Sequence, residues 1–415
     1  GRFILLRQSG HKISFSFLQP RHFWGNKKSN IFFKIFIFYS LAIIVYNTAY
    51  MDFSLGGLLK NFKSAFNPKK SVLGLDIGSS FVKLVQLRKE QERAILETYG
   101  EIALGPYAKM KIGQNVKLPP IAVAQAIKDL MKESNSKTDT ARVSIPLKSS
   151  FVKIITLPFG HEKNISAEVI AMEARRHIPV PVSEVALDWW VIPESENDLK
   201  NGGEKETEVL LVAIHNDVIS EYKDIISKAG LTASSFEIES FSLVRSGISR
   251  GSPTIAVMDI GSAAVKMAVV DYGVMKSSVL INKGSQDLTL ALSQSLGVDF
   301  AKAEEMKREI GLSDLPEHQD IVAVMEPILE YIFHEAAVFL KDFQNKYGRS
   351  ASKVIFSGGG SLLKGLASYG VKKLTVEVEY ANPFGKTEHP AFLSGVLKGV
   401  GPDFSVATGL ALGEL

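Results

Sequence analysis

Two stretches decide how this chain folds: LDIGSSFVKLVQL at residues 75–87 and MDIGSAAVKMAVV at residues 258–270. They align without a gap, Asp76 on Asp259, Gly78 on Gly261, Ser79 on Ser262 and Lys83 on Lys266, at a constant offset of 183 residues. In each, apolar residues run into a glycine turn and out again, the pattern of strand, tight turn and return strand. A hairpin used twice, half a chain apart, marks an internal repeat and predicts two related halves.

The residues at the hairpin tip suit an anion. Glycine lets the backbone approach closely and turn its amides toward a ligand. A serine hydroxyl adds a donor, and a lysine adds a point charge. An aspartate beside a phosphate needs an intervening cation, which implies Mg²⁺ held by Asp76 and Asp259. One such hairpin is also an ordinary β-turn; two facing each other would clamp a polyphosphate. A third element, SGGGSLLKGL from Ser357, ends a strand in Gly358, Gly359 and Gly360 before a helix, where backbone can lie against a flat ring.

Outward from these motifs the chain alternates strands and helices. A third strand is expected near residues 94–102, a helix from Pro119 and Pro120 to Met131, and a strand at RVSIP. Residues 148–207 read as an insertion in the first half, with a helix at ISAEVIAMEARRH and a strand at DWWVI. After it, EVLLVAIH, a helix closed by Gly230 and SSFEIE are expected to resume the alternation of the first half. The second half is expected to place helices at 285–297, 299–310 and 320–347, and FSVATGLALG reads as a short packed helix. The predicted organisation is a first lobe over 71–253, a second over 254–388, and a segment 389–415 returning to the first lobe.

With 415 residues the chain exceeds one ordinary core. It has no cysteine, which excludes disulfides, thiolate metal sites and a cysteine nucleophile. Its net charge of +4 comes from residues 1–50, which hold seven of the 48 basic residues and no acidic one. The remaining 41 basic residues face 44 acidic ones, so the body carries no nucleic-acid footprint. The leader also holds eight of the 24 phenylalanines, and the first methionine is Met51. It reads either as translated upstream sequence ahead of a native start at Met51 or as a spanning helix over 31–50. Residues 51–70 form a basic amphipathic arm, open between a membrane-surface helix and an arm on the protein.

The order DIGS…VK, ESFSLVRS, a second DIGS, AEEMKREIG and SGGGSLL resembles the actin-like ATPase superfamily. That resemblance implies an α/β, two-lobed, ribonuclease H-type fold closing over ATP and Mg²⁺. It implies phosphate contacts from Asp76, Gly78, Ser79, Ser80 and Lys83 and from Asp259, Gly261, Ser262 and Ala263. Gly358, Gly359, Gly360 and Ser361 would lie at the nucleoside. Helices resembling AEEMKREIG in MreB and FtsA imply that Glu304 and Lys307 face the nucleoside, although the pair also reads as an exposed ion pair three residues apart. Glu239 matches a linker position bearing an acid in related ATPases; it reads as a water-orienting group or as a solvated carboxylate at a strand end.

Within the superfamily the chain is most similar to the PilM family of type IV pilus assembly proteins, through VLGLDIGSSFVKLVQL, EARRHIPVPVSEVALDW, IESFSLVRS and NPF…FSVATGLAL. The insertion sits as in FtsA and PilM. This resemblance implies a cytoplasmic protein at the inner face of the inner membrane, associated peripherally. It would bind the cytoplasmic N-terminal peptide of PilN and other proteins of the pilus inner-membrane complex. The expected groove lies by the insertion, whose Phe159, Ile178, Pro179, Pro181, Trp189 and Trp190 serve either a peptide or the insertion's own core. Two other classes stand against a nucleotide-switched scaffold: an FtsA-like division anchor and a small-molecule kinase of the same superfamily.

Overall fold

In the computed structural model, the structure describes residues 71–157, 167–192, 207–249 and 253–415. The leader, the arm at 51–70 and Phe159 lie outside the described residues. Strands β1 (Ser71–Ile77), β2 (Phe81–Glu90) and β3 (Arg93–Ala103) form an antiparallel meander, and β4 (Thr140–Ile145) and β8 (Thr232–Ile238) extend it in parallel. The sheet order is β3-β2-β1-β4-β8. The second half repeats that order as β11-β10-β9-β12-β13, with β9 Ile255–Ile260, β10 Val265–Asp271, β11 Val274–Ile281, β12 Lys353–Ser357 and β13 Glu377–Tyr380. The repeat visible in two hairpins is therefore a repeat of whole five-stranded sheets.

Period-two alternation sends the two faces of the first sheet to different partners. Leu73, Leu75, Val82 and Leu84 pack with Ala124 and Ile127 of helix α1 (Pro120–Glu133). Val85 and Leu87 turn the other way, against Phe404 and Ala407 at the C-terminal end of the chain. Gly74 is required there, because a Cβ would lie 2.0 Å from the Ala407 carbonyl oxygen. In the second half, Met258, Met267, Phe333 and Phe356 form a separate core. Helices Ser285–Leu296, Phe300–Ile310, Gln319–Tyr347 and Leu366–Leu374 contribute to it, among them Leu292, Ala303, Phe333 and Leu366.

One expectation of the fold needs correction. EVLLVAIH does not rejoin the main sheet. As β7 (Thr207–His215) it is the central strand of a separate antiparallel sheet, between β5 (Ser150–Leu157) and β6 (Val185–Val191). The insertion's sheet thus runs to residue 215, beyond the expected 207. A continuous apolar run looks the same in any strand buried on both faces, so the pattern could not assign its sheet. β7 is such a strand: Val209, Leu211 and Ala213 pack with Ile170 and Ala174 of the insertion's helix α2 (Ala167–Ala174), while Leu210, Val212 and Ile214 join the first lobe's core.

ESFSLVRS, ahead of the second hairpin, is helix α4 (Glu239–Gly247), which follows α3 (Asn216–Lys228) and β8 and is almost wholly buried. The helix at Ser405–Leu412 lies across it so closely that a Cβ on Gly409 would meet the Ser242 oxygen at 1.9 Å. The return of the C-terminal segment to the first sheet begins ahead of residue 389. Glu388 exchanges backbone hydrogen bonds with Ala94 and Leu96, and Phe384 packs on Tyr99 with ring centroids 5.5 Å apart.

Candidate functional site

The two hairpin tips, the glycine turn after β12 and the start of α4 surround one cleft of about 640 Å³ between the lobes. Both tips close alike, Gly78 N–H donating to the Phe81 oxygen (2.9 Å) and Gly261 N–H to the Ala264 oxygen (3.1 Å). The structure brings to this cleft Asp76, Gly78, Ser79, Ser80 and Lys83 from one side and Asp259, Gly261, Ser262 and Ala263 from the other. Glu239, Glu304, Lys307, Gly358, Gly359 and Gly360 also line it. Ser361 does not: it is buried beneath the glycine turn, its hydroxyl donating to the Gly358 oxygen at 2.7 Å. Gly358 has φ +80°, and a Cβ there would stand 2.5 Å from Asp259 Oδ1. The backbone at this turn comes as near the hairpin as atoms allow.

The acidic groups of the cleft are held rather than free. Ser144 donates to Asp76 Oδ1 at 2.7 Å. Burial pushes the Asp76 carboxyl above its ordinary range, against the pull of Lys83. Glu239 accepts the Leu147 N–H at 2.8 Å on Oε1 and the Lys266 ammonium at 2.8 Å on Oε2. Burial raises its pKa too, opposed by Lys266. The expected alternative of a solvated strand-end carboxylate is therefore wrong: Glu239 is 8% exposed at a helix N-terminus. Tyr222, also in the cleft, has its phenol pushed up by burial and by nearby Glu239 and Asp76.

Lys266 was legible only as the repeat partner of Lys83; its bridging role was not. Its ammonium lies 2.8 Å from both Glu239 Oε2 and Asp259 Oδ2. Lys83 instead donates to Asp403. Neither Glu239 nor Asp403 is near its lysine in sequence, so spacing carried no signal for either pair.

Glu304 and Lys307 are an intrahelical pair in helix α6 (Phe300–Ile310, after α5 Ser285–Leu296), 2.6 Å apart, and they face the cleft rather than solvent. Burial, working against Glu304, lowers the Lys307 pKa. Burial acts to raise Glu304, but Lys307 and Arg308 outweigh it and hold the carboxylate below its usual range. The three ammonium hydrogens of Lys307 are matched by three acceptors: Glu304 Oε2, Thr289 Oγ1 (2.9 Å) and the Ser285 oxygen (3.2 Å).

A strap at residues 109–117 touches both hairpin tips and α5. Ser79 donates to Asn115 Oδ1 (2.9 Å), Ser262 to the Gly113 oxygen (3.3 Å), and the Asn115 N–H to Gln286 Oε1. The last two bonds join first-lobe loop to second-lobe elements.

The glycine-lined backbone, two serines and Lys83 fit a phosphate chain. The predicted metal pair fits less well, because the Lys266 ammonium already sits on Asp259. Among the described residues, no three His, Asp or Glu groups converge into an all-protein metal cage, so a Mg²⁺ here would lean on one or two carboxylates and the phosphates. Of the insertion's apolar residues, Ile178 is buried and Trp189 packs with it on the α2 side, while Trp190 packs on the first lobe. Pro179 and Pro181 are exposed.

A family model described as type IV pilus assembly protein PilM matches residues 74–415. Among solved structures, the chain resembles one from a PilM–PilN type IV pilus biogenesis complex, with a TM-score of 0.69 and 25% identity over 83% of this chain and 98% of that one. A more distant likeness is the ethanolamine utilization protein EutJ from Carboxydothermus hydrogenoformans, at TM-score 0.49 and 17% identity over 83% and 90%. Another is MreB 5 of Spiroplasma citri bound to AMPPNP, at 0.47 and 12% over 83% and 96%.

Proposed function

The chain belongs to the PilM family of type IV pilus assembly proteins and has the actin-like two-lobed α/β fold, and on that premise we propose that it is a nucleotide-binding scaffold of a pilus inner-membrane complex. The observation that carries this reading is the match across 98% of the chain from the PilM–PilN complex, beside a family model whose span, residues 74–415, takes in the inserted sheet as well as the nucleotide motifs. Its partner is the cytoplasmic N-terminal peptide of a PilN-type membrane protein, and its place is the cytoplasmic face of the inner membrane, bound peripherally with other proteins of the complex. Among the described residues no helix is long and apolar enough to cross a membrane.

The actin-like ATPase superfamily generally binds ATP with Mg²⁺; here ATP is the proposed ligand of the cleft. Gly78 and Gly261 turn their loops toward the phosphates, Ser79 and Ser262 would turn their hydroxyls from Asn115 and Gly113 to a phosphate oxygen, and Lys83 offers a charge. Gly358–Gly360 and the Glu304–Lys307 helix flank the nucleoside. Mg²⁺, when bound, would supply charge neutralisation beside Asp76. Glu239, the candidate water-orienting group, is engaged on both oxygens in this conformation, which favours a binding switch over rapid hydrolysis.

The test is the affinity of the full chain for a peptide copied from a PilN N-terminus, with and without ATP. Micromolar binding that shifts with nucleotide is the expected result. Absence of binding in both states, with ATP still bound, would overturn the scaffold reading and return the division-anchor and kinase classes to the front.

A further inference from the structure

Where an actin-like site calls for a divalent cation, this cleft already holds a cation of its own. The Lys266 ammonium is 2.8 Å from Asp259 Oδ2 and 2.8 Å from Glu239 Oε2, two of the acidic side chains that line the cleft. Both contacts are charge-assisted, one ammonium bridging two carboxylates at hydrogen-bond distance. A Cβ on Gly261 would lie 3.7 Å from Nζ, which places the ammonium at the tip of the second hairpin.

An ammonium has three donors, and two meet these carboxylates. Among the described residues the third finds no acceptor, and the side chain, 18% exposed, opens to the cleft. Mg²⁺ demands a near-octahedral oxygen shell at about 2.0–2.1 Å. Built on Asp259 Oδ2, that shell would set a divalent ion against a fixed ammonium on the same oxygen, and the two repel.

We propose that Lys266 replaces the divalent ion on the second-lobe side of the cleft, neutralising Asp259 and Glu239 and donating its remaining N–H to a phosphate oxygen, so that this chain binds a nucleoside triphosphate with little need of Mg²⁺. The proposal rests on the nucleotide reading above. It also gives Glu239 a charge-pairing role, its Oε2 accepting from the ammonium at 2.8 Å.

The experiment is calorimetric binding of ATP to the full chain in Mg²⁺ and in EDTA, for the wild type, Lys266→Thr and Lys266→Arg, with circular dichroism and melting curves to verify folding. The wild type is expected to change affinity less than about threefold on removing Mg²⁺. Lys266→Thr is expected to bind at least about tenfold more weakly in EDTA and to recover with Mg²⁺, while Lys266→Arg, which keeps a cation, stays metal-indifferent. Manganese relaxation of the bound ATP phosphorus signals supplies a second readout, weak in the wild type and strong in Lys266→Thr. Wild-type binding that collapses in EDTA overturns the proposal and leaves the nucleotide reading intact. A folded Lys266→Thr that binds equally in EDTA also overturns it. If no protein binds ATP in either buffer, the nucleotide reading fails and the proposal with it.

Discussion

Lys83 donates to Asp403, 320 residues further along the chain, although its direct cross-strand partner is Asp76. In the second hairpin the equivalent cross-strand pair, Asp259 and Lys266, closes at 2.8 Å. The repeat is thus symmetric in backbone and asymmetric in charge. Asp403 is also placed to feel both lobes. Its neighbour Pro402 accepts the Gly358 N–H at 2.8 Å and the Ser357 hydroxyl at 3.0 Å, so one turn joins the first hairpin's lysine to the second lobe's glycine turn.

Removing the lysine removes a charged donor from the phosphate site. Burial acts to lower the Lys83 pKa, but Asp403, Glu101 and Asp76 outweigh it, so the group is an ammonium at neutral pH. Lys83→Met is expected to weaken ATP binding by about 10- to 100-fold, the worth of a charged hydrogen bond of about 1.5–3 kcal/mol. Asp403→Asn, which releases the lysine from its competitor, is expected to strengthen it. Calorimetry on both variants checks the pair, and opposite signs are the expected signature.

Asp76 sets stability against function. Its folded pKa lies above the ordinary 3.8, chiefly through burial, so the folded state takes up its proton more readily than the unfolded chain. Stability from this group is present below the ordinary value and is lost as pH rises through the folded one. Asp76→Asn is therefore expected to raise the melting temperature at pH 7 and to leave it nearly unchanged near pH 3. A melting series across pH reads this directly; a lower melting temperature at pH 7 would contradict the assigned direction.

The strap can be released without disturbing the cores. Gln286→Ala removes the acceptor of the Asn115 N–H and should cost about 1 kcal/mol at most. Trypsin is then expected to cut several-fold faster at the exposed Lys109, Lys111 and Lys117. Peptide mapping of the first cleavage products decides the matter.

A buried charge triad anchors the C-terminal helix. Glu237 receives Arg142 at 2.9 Å and Arg245 at 2.6 Å, with the Glu237 side chain 1% exposed, and Arg245 also donates to the Gly409 oxygen at 2.8 Å. Glu237→Ala strands two guanidinium groups and is expected to cost about 3–5 kcal/mol. Urea unfolding measures the loss, and hydrogen exchange over residues 405–412 is expected to accelerate first.

Much of this was legible along the chain for local reasons. A glycine between two alternating apolar runs specifies a hairpin wherever it occurs, and AEEMKREIG places Glu304 and Lys307 on one helical face by its period alone. β7 was misplaced because a strand buried on both faces has no alternation to show which sheet it serves. The burial of ESFSLVRS was not legible because its serines look polar in sequence, while in the fold they let the C-terminal helix come within reach of a backbone oxygen.

Sequence pattern alone carried the two hairpins with their aspartates and lysines, since strand, turn and periodicity depend on neighbours a few residues apart, and the resemblance of its motifs carried the family. Folding alone chose the distant partners of the two hairpin lysines. Lys266 meets Glu239 across 27 residues and Lys83 meets Asp403 across 320, and no local rule links positions so far apart. Those pairings settle which carboxylates the cleft still offers to a cation, because a charge in a low-dielectric cleft is governed by whatever charge the fold sets beside it.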